Sequence, residues 1–412
     1  MHYLDQYKGL TRQIYLVCIT RTILGMGSMS HVFSTLQMRS ILGMKESAIG
    51  MVVSAASIMA MSSTLLGGRL ADRIGRKKTC LISSVLACSS YALSYFFCRK
   101  PLMVLLIILN QCFANLAYPA FNAVIGDEVK HGGMQMEAFS LLYMASNLGF
   151  AIGPSIGGML YYNHLELVYI LQFIMTAISS CFFQLMTKEN YDPAEARRAA
   201  AREMNAETSG DRDVSMLAIF KQHSSLPVLF ITMAIVTMCY QMISFMLTMQ
   251  MSDYFGDAVA SRYSGFIWTV NCLCIVFFTP VIITETKKHH QFRNMFFGLL
   301  LYAAGFGSYA FLKTSWLFLA FAIIWSLGEI MISTGVGAFI ASNSPPSHLA
   351  RCQSFYEASR YVGRAVGPTL FGFLLGFISY STAWVINAAI CLVMAFFMLF
   401  MYKVYSEKEA RR

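Results

Sequence analysis

Twelve stretches of the chain, each about 20 to 30 residues long, run with almost no charge between breaks that hold most of the Lys, Arg, Asp and Glu residues. A helix needs about 20 consecutive apolar residues to cross roughly 30 Å of hydrocarbon. The pattern therefore predicts an all-α integral membrane protein with spans near 12–37, 47–68, 78–97, 101–126, 137–161, 166–187, 225–251, 261–284, 294–312, 314–342, 350–376 and 379–403. Composition agrees, with 57% hydrophobic and 13% charged residues and a mean hydropathy of +0.56. Most connections are too short to hold a soluble domain.

Cytoplasmic loops retain Lys and Arg during insertion. With the N-terminus inside, 22 of the 31 fall on cytoplasmic segments and six on outer ones (Arg39, Lys45, Arg99, Lys100, Arg262, Lys313), while Arg21, Arg360 and Arg364 lie within spans. Both termini are thus predicted cytoplasmic, in a multi-pass protein of the cell (inner or plasma) membrane. The net charge of +10 follows from this bias and from contact with anionic headgroups, so no nucleic-acid partner is expected. No small-residue cleavage site follows the first apolar run, which predicts that span one is retained. The eleven Cys are scattered, mostly within spans. Without metal-ligand spacing they read as packing residues, and no metal is expected.

The longest polar break separates a predicted N-terminal six-helix bundle (1–187), a cytoplasmic central loop (188–224) and a C-terminal six-helix bundle (225–412). The loop holds a charge-mixed helical stretch, DPAEARRAAAREMNAE, then TSGDRD and the amphipathic VSMLAIFKQ. The halves resemble each other. GFAIGPSIGG (149–158) in span five returns as GRAVGPTLFG (363–372) in span eleven, an offset of 214 from Gly153 to Gly367. The same offset carries Asp72 to position 286, where TETKKHHQFRN reads as a decayed copy of an earlier basic loop. Two six-helix repeats of this kind build alternating-access transporters, with the site near the bilayer midplane.

That earlier loop is GRLADRIGRKK (68–78), between spans two and three. Gly68 suits a close helix approach, Gly75 a tight turn, and Asp72 can face the positive N-terminal end of a neighbouring helix. The full pattern G-x-x-x-D-R-x-G-R-[RK]-[RK], carried by Gly68, Asp72, Arg73, Gly75, Arg76, Lys77 and Lys78, resembles the loop signature of the major facilitator superfamily. The resemblance covers nearly the whole chain. It implies two six-helix bundles related by pseudo-two-fold symmetry and a cytoplasmic latch, in which the motif meets span eleven and one of its arginines pairs with an acid ending span four, here Asp127. Gly149, Gly153, Pro154, Gly157 and Gly158 resemble the antiporter motif of the 12-span drug/proton antiporter branch. There the proline kinks span five and the glycines are expected to pack against the other half, which favours exchange or efflux over uptake. One departure stands in span four, where drug-exporting relatives usually carry an arginine and this chain has Asn110 and Gln111. Proton coupling must then use other residues.

Five charged side chains lie well inside spans: Arg21, Glu329, Glu357, Arg360 and Arg364. At roughly 2.5–3.5 kcal/mol each, on the order of 15 kcal/mol together, they cannot face lipid. Other polar residues fall into stripes at helical spacing. Span one carries Arg21, Ser28 and Thr35 near His31; span four Gln111, Asn115, Tyr118 and Asn122; span seven Gln241, Ser244 and Thr248 beside Tyr240; span ten Ser326, Glu329 and Ser333. The resemblance implies that spans one, four, seven and ten line a central cavity. This places the substrate among Arg21, Gln111, Asn115, Tyr118, Asn122, Tyr240, Gln241, Ser244, Asn271, Glu329, Arg360 and Arg364.

Glu329 is the first candidate for a proton carrier, because burial disfavours a charged carboxylate and lets it load and unload protons. The alternative is a permanent ion pair, most simply with Arg364. Glu357, a further proton-coupling candidate, shares one face of span eleven with Arg360 and Arg364 at i, i+3, i+7. Glu357 and Arg360 can satisfy each other, which leaves Arg364 and Arg21 to anchor an anionic group. His31 is either a second proton site or a packing residue.

The expected function is secondary active transport by alternating access: proton-coupled efflux of small amphipathic organic compounds or drugs. The proton motive force drives it, without a cofactor, in a monomer surrounded by lipid. One rival is a proton-coupled carrier of a specific anionic metabolite, suggested by three intramembrane arginines against two glutamates. A rival of another class is a membrane sensor or scaffold without flux. An enzyme is not expected, since the chain has no HExxH, no paired catalytic carboxylates in a loop and no phosphate-binding glycine loop.

Overall fold

The computed structural model describes residues 7–129, 134–189, 216–344 and 349–410. Among these residues ten helices are long and apolar enough to cross a membrane. Two further, more polar helices, Gln291–Ser308 and Leu349–Leu374, stand at the positions predicted for spans nine and eleven, consistent with twelve. Spans two (Glu46–Ile74), three (Arg76–Phe97), five (Gln135–Tyr161), six (Leu165–Met186), eight (Asp257–Thr286) and twelve (Tyr380–Ala410) follow the apolar runs closely. Most of the central loop, including DPAEARRAAAREMNAE and TSGDRD, lies outside the described residues. Its end forms the short helix Met216–Gln222, with Ile219 buried and the Phe220 ring set edge-on to Phe230 and Phe355.

Spans one, four, seven and ten depart from predicted continuity. Span one runs as Arg12–Met26, breaks after Gly27, and resumes through a tight turn His31–Phe33, Ser34–Leu36 and a π-helical turn Gln37–Ile41. Span four divides into Met103–Leu116 and Tyr118–Val129, because Pro119 supplies no N–H to continue the ladder. Span seven holds a π-helical turn, Ile243–Leu247, between Ser225–Met242 and Thr248–Phe255. Span ten, expected to be continuous over 314–342, is instead Ser315–Ser333 and Val336–Asn343, parted at Gly335 with φ +87°. No charged residue marks these breaks, so the apolar runs pass through them, although 27–31 (GSMSH) and 333–335 (STG) are locally polar and Pro119 stands within span four.

Cα proximity groups the chain into two compact units, Met1–Ser30 with Ala56–Gly153 and Asn163–Ala218, and His31–Ala55 with Pro154–Tyr162 and Ile219–Arg412. The second unit thus joins spans seven to twelve with the ends of spans one, two and five that the charge bias assigns to the outside.

In the first unit, the glycines of the span-five motif do not all meet the other half. A Cβ on Gly149 would come 2.2 Å from the carbonyl oxygen of Thr22, and one on Gly153 2.6 Å from that of Met26, so both pack on span one. The close approach assigned to Gly68 belongs to its neighbour. A Cβ on Gly67 would sit 2.0 Å from the Leu116 carbonyl oxygen, whereas at Gly68 the nearest atom is a Pro119 side-chain carbon at 3.8 Å.

In the second unit the repeat is visible as matched contacts. Gly363 meets the Ala234 carbonyl of span seven, as Gly149 meets span one. The Pro154 carbonyl lies against Gly265 of span eight, and the Pro368 carbonyl against Gly50 of span two. Beside each contact is a hydroxyl pair: Ser155 with Thr269, and Thr369 Oγ1 donating to Ser54 Oγ at 2.7 Å. Ser54 in turn donates to the Ala365 carbonyl. Small residues allow this backbone approach where lipid offers no hydrophobic drive. At the same end Arg39 pairs with Asp253 (Nη1–Oδ1 2.7 Å) and Glu46 (Nε–Oε1 3.1 Å), and its guanidinium lies 5.7 Å from the Tyr380 ring centroid.

Candidate functional site

Within the first unit the basic loop is built around Arg76. Gly75, at φ +100°, turns the chain from span two into span three. The Arg76 side chain, 9% exposed, pairs with Asp72 across one helical turn and with Asp127 at the end of span four (Nε–Oδ2 3.4 Å). The carboxylate of Glu189, absent from the sequence reading, accepts the backbone N–H groups of Arg76 (3.3 Å) and Lys77 (2.7 Å), the orphan donors that open span three. Lys77 Nζ donates to the carbonyls of Gln184 and Thr187, both at 2.8 Å, at the end of span six. Arg73 lies in the last turn of span two.

Deeper in the same unit Arg21 projects from span one. Its Nε donates to Ser146 Oγ of span five at 3.3 Å, and its guanidinium carbon lies 5.1 Å from the Tyr118 ring centroid and 5.5 Å from that of Phe121. No carboxylate lies within ion-pair distance of it among the described residues. Tyr118 and Phe121 stand at i, i+3 on the second segment of span four, so the break at Ala117 sets both rings against the arginine. Gln111, Asn115 and Asn122 are half-buried on the same span, and Asn115 bonds back to the Gln111 carbonyl at 2.8 Å. Asn110 is buried and donates to Ser94 of span three at 3.1 Å, a packing contact.

In the second unit Glu329 is half-buried and accepts from Asn271 Nδ2 at 2.8 Å and from the Tyr240 hydroxyl at 3.3 Å. Asn271 also donates to Ser326 at 3.0 Å. The suggested permanent pair with Arg364 is not formed: among the described residues no cation lies within ion-pair distance of Glu329, and its hydrogen-bond donors are neutral. Tyr240 is ringed by Trp268, Tyr302 and Trp325, with centroids 5.9–6.2 Å away. The sequence reading missed these rings, although Trp325 precedes Glu329, and Trp268 precedes Asn271, at the four- and three-residue spacings that share a helix face.

Arg360 pairs with Glu357 at 3.3 Å, with Glu357 more than half exposed. Arg364 is half-buried beside the Tyr361 ring at 5.4 Å. His31 is exposed in the turn after the break of span one, within electrostatic reach of Arg364. Gln241 and Ser244 are half-buried. The Ser244 carbonyl, in the π-helical turn, accepts from Thr35 Oγ1 of span one at 3.3 Å. Among the described residues the polar-striped spans are also those whose α-helix is interrupted by a turn or a π-helical segment, and interrupted helices characterise transporter sites.

The sequence profile of the Major Facilitator Superfamily matches residues 17–284 and 229–412. The chain belongs to the major facilitator superfamily. It is similar to an uncharacterized MFS-type transporter, YttB, of Bacillus subtilis, 22% identical over 83% of this chain and 82% of the relative. A Na(+), Li(+), K(+)/H(+) antiporter of Planococcus maritimus is also 22% identical, over 87% of this chain and 88% of its own. The quinolone resistance protein NorA of Staphylococcus aureus is 29% identical over 28% of this chain and 30% of its own. The crystal structure of a peptide transporter POT in complex with sulfate shares the fold, with a TM-score of 0.75 at 17% identity over 96% of this chain and 95% of that one. The protein is therefore a multi-pass membrane transporter of the MFS type, embedded in a lipid bilayer and acting on a small molecule.

Proposed function

We propose that this transporter exports small amphipathic organic compounds in exchange for protons, by alternating access, with Glu329 as the proton carrier. The observation that carries the reading is the setting of Glu329: a mid-span carboxyl held by the neutral donors Asn271 and Tyr240 among aromatic rings. A carboxyl paired to a fixed cation keeps its charge, whereas one held by neutral donors can take up a proton without stranding a buried partner. Similarity to an antiporter and to a quinolone resistance protein supports exchange and organic substrates. One proton moving down ~100 mV releases about 2.3 kcal/mol, enough for a roughly forty-fold substrate gradient. In the proposed cycle protonation of Glu329 loosens its ties and substrate leaves outward. Deprotonation to the cytoplasm then resets the site. No cofactor takes part, the working form is a monomer in the cell membrane, and both termini are cytoplasmic.

The rival reading, a carrier for one anionic metabolite, draws on Arg21 and Arg364, which have no carboxylate at ion-pair distance among the described residues. Energised cells expressing wild type or Glu329→Gln, loaded with cationic, neutral and anionic fluorescent compounds with and without an uncoupler, test the proposal. Uncoupler-sensitive extrusion that disappears in Glu329→Gln is expected. Equal extrusion in the two proteins would reduce Glu329 to a structural residue.

A further inference from the structure

Arg21 is the one intramembrane charge of the first unit whose setting the proposed cycle does not use. Among the described residues its partners on nearby spans are neutral: Ser146 Oγ at Nε, and the rings of Tyr118 and Phe121. Ser146 spends its own proton on the Leu142 carbonyl at 2.8 Å, which leaves its oxygen to accept from Nε. The guanidinium is thereby fixed through one edge and flanked by two rings, while the paired Nη1 and Nη2 groups have no protein acceptor among the described residues. That pair of parallel N–H donors is the fork that matches a carboxylate two-pronged. A guanidinium at such depth is costly unless something answers its charge. Ring faces do so in part. Tyr118 is 46% exposed while Phe121 is 4% exposed, so of the two rings beside the guanidinium Tyr118 is the one that retains accessible surface.

We infer that Arg21 is the subsite for the carboxylate of an amphipathic organic anion, whose apolar or aromatic body lies along Tyr118. This deepens the proposed function by naming the substrate class, and rests on it only for the coupling to protons. Two requirements follow. The ligand must combine a carboxylate with a ring within reach of it, and charge must matter more than ring shape.

The test uses purified full-length protein in lipid nanodiscs and three probes that share a benzene ring: p-aminohippurate (anionic), benzyl alcohol (neutral) and benzyltrimethylammonium (cationic). Binding is read as a concentration-dependent rise in melting temperature. Wild type is expected to be stabilised by p-aminohippurate in preference to the other two, with the apparent Kd at least tenfold weaker in Arg21→Gln and weakened also in Tyr118→Ala. Arg21→Lys keeps the charge but not the fork, so it guards against a folding failure of the glutamine variant, and it too is expected to bind more weakly. Unchanged p-aminohippurate binding in Arg21→Gln or Arg21→Lys, a wild type that prefers the cation, or no response of wild type to the anion would each overturn the inference. If anion binding depends on Arg21 but no proton-coupled flux is found, the subsite stands and the export reading falls.

Discussion

Gly50 and Gly265 give the sharpest quantitative test of how the Arg39-bearing end is held together. A Cβ at Gly265 would stand 2.4 Å from the Pro154 carbonyl oxygen, and one at Gly50 2.1 Å from that of Pro368. Both obstacles are backbone, so Gly265→Ala or Gly50→Ala must push a helix back by about 1 Å to restore ordinary contact near 3.4 Å. Overpacking of this kind costs about 1–3 kcal/mol. The helix-propensity gain of Ala over Gly acts in every conformation and cancels from the ratio of states. The strain falls only on the state in which these ends are joined, so its population relative to the opened state should drop roughly 5- to 150-fold per substitution. Spin labels at Lys45→Cys and Lys313→Cys, with the accessible Cys88 and Cys181 replaced, report the distance distribution at this end. Wild type is expected to give one dominant population, and each alanine variant a second, longer one. Distributions that coincide in wild type and both variants would refute the claim that the paired proline–glycine approaches hold this end closed.

Arg39→Gln should loosen the same end more weakly than either glycine variant, because partly exposed pairs are worth ~0.2–1 kcal/mol each; 1 M salt should move wild type toward the variant in the same distance measurement. Asp127→Asn leaves the 9%-exposed Arg76 with one carboxylate fewer, and a fall in melting temperature corresponding to about 1–3 kcal/mol is expected by scanning fluorimetry; an unchanged midpoint would remove that pair from the account. Glu189→Ala strips the acceptor from two N–H groups that open span three, and a loss of about 1 kcal/mol in the same assay is expected. Gly75→Ala places a side chain at φ +100°, ψ 160°, a region essentially reserved for glycine, and should cost about 1–3 kcal/mol, read again as a lowered midpoint.

How much of this was legible beforehand depends on what each feature needs. Span positions follow from hydropathy, a property of each stretch by itself, and Gly75 was readable because its turn is local to the motif. The pair of Arg76 and Asp127 came from the family resemblance rather than from spacing, since 51 residues separate the partners. The polar stripes singled out spans one, four, seven and ten, but not their breaks. Pro119 and Gly335 sit inside stretches long enough to read as single spans, and the π-helical turn at Ile243–Leu247 has neither proline nor glycine to announce it. Gly67 and Gly68 cannot be told apart in sequence, and only packing shows that Gly67 meets Leu116. The alternative tie of Glu329 to Arg364 is not formed for a related reason. Charge alone suggested a partner, whereas Asn271 and Tyr240 on other spans already occupy the carboxylate.

Proton movement itself reports most directly whether Glu329 couples export to protons. Purified wild type and Glu329→Gln, reconstituted in liposomes containing a pH-sensitive dye, are given an outward gradient of a transported compound. Wild type is expected to move protons opposite to the substrate, and Glu329→Gln to move none, whatever substrate exchange it retains. Substrate-dependent proton movement of equal size in Glu329→Gln would contradict that coupling.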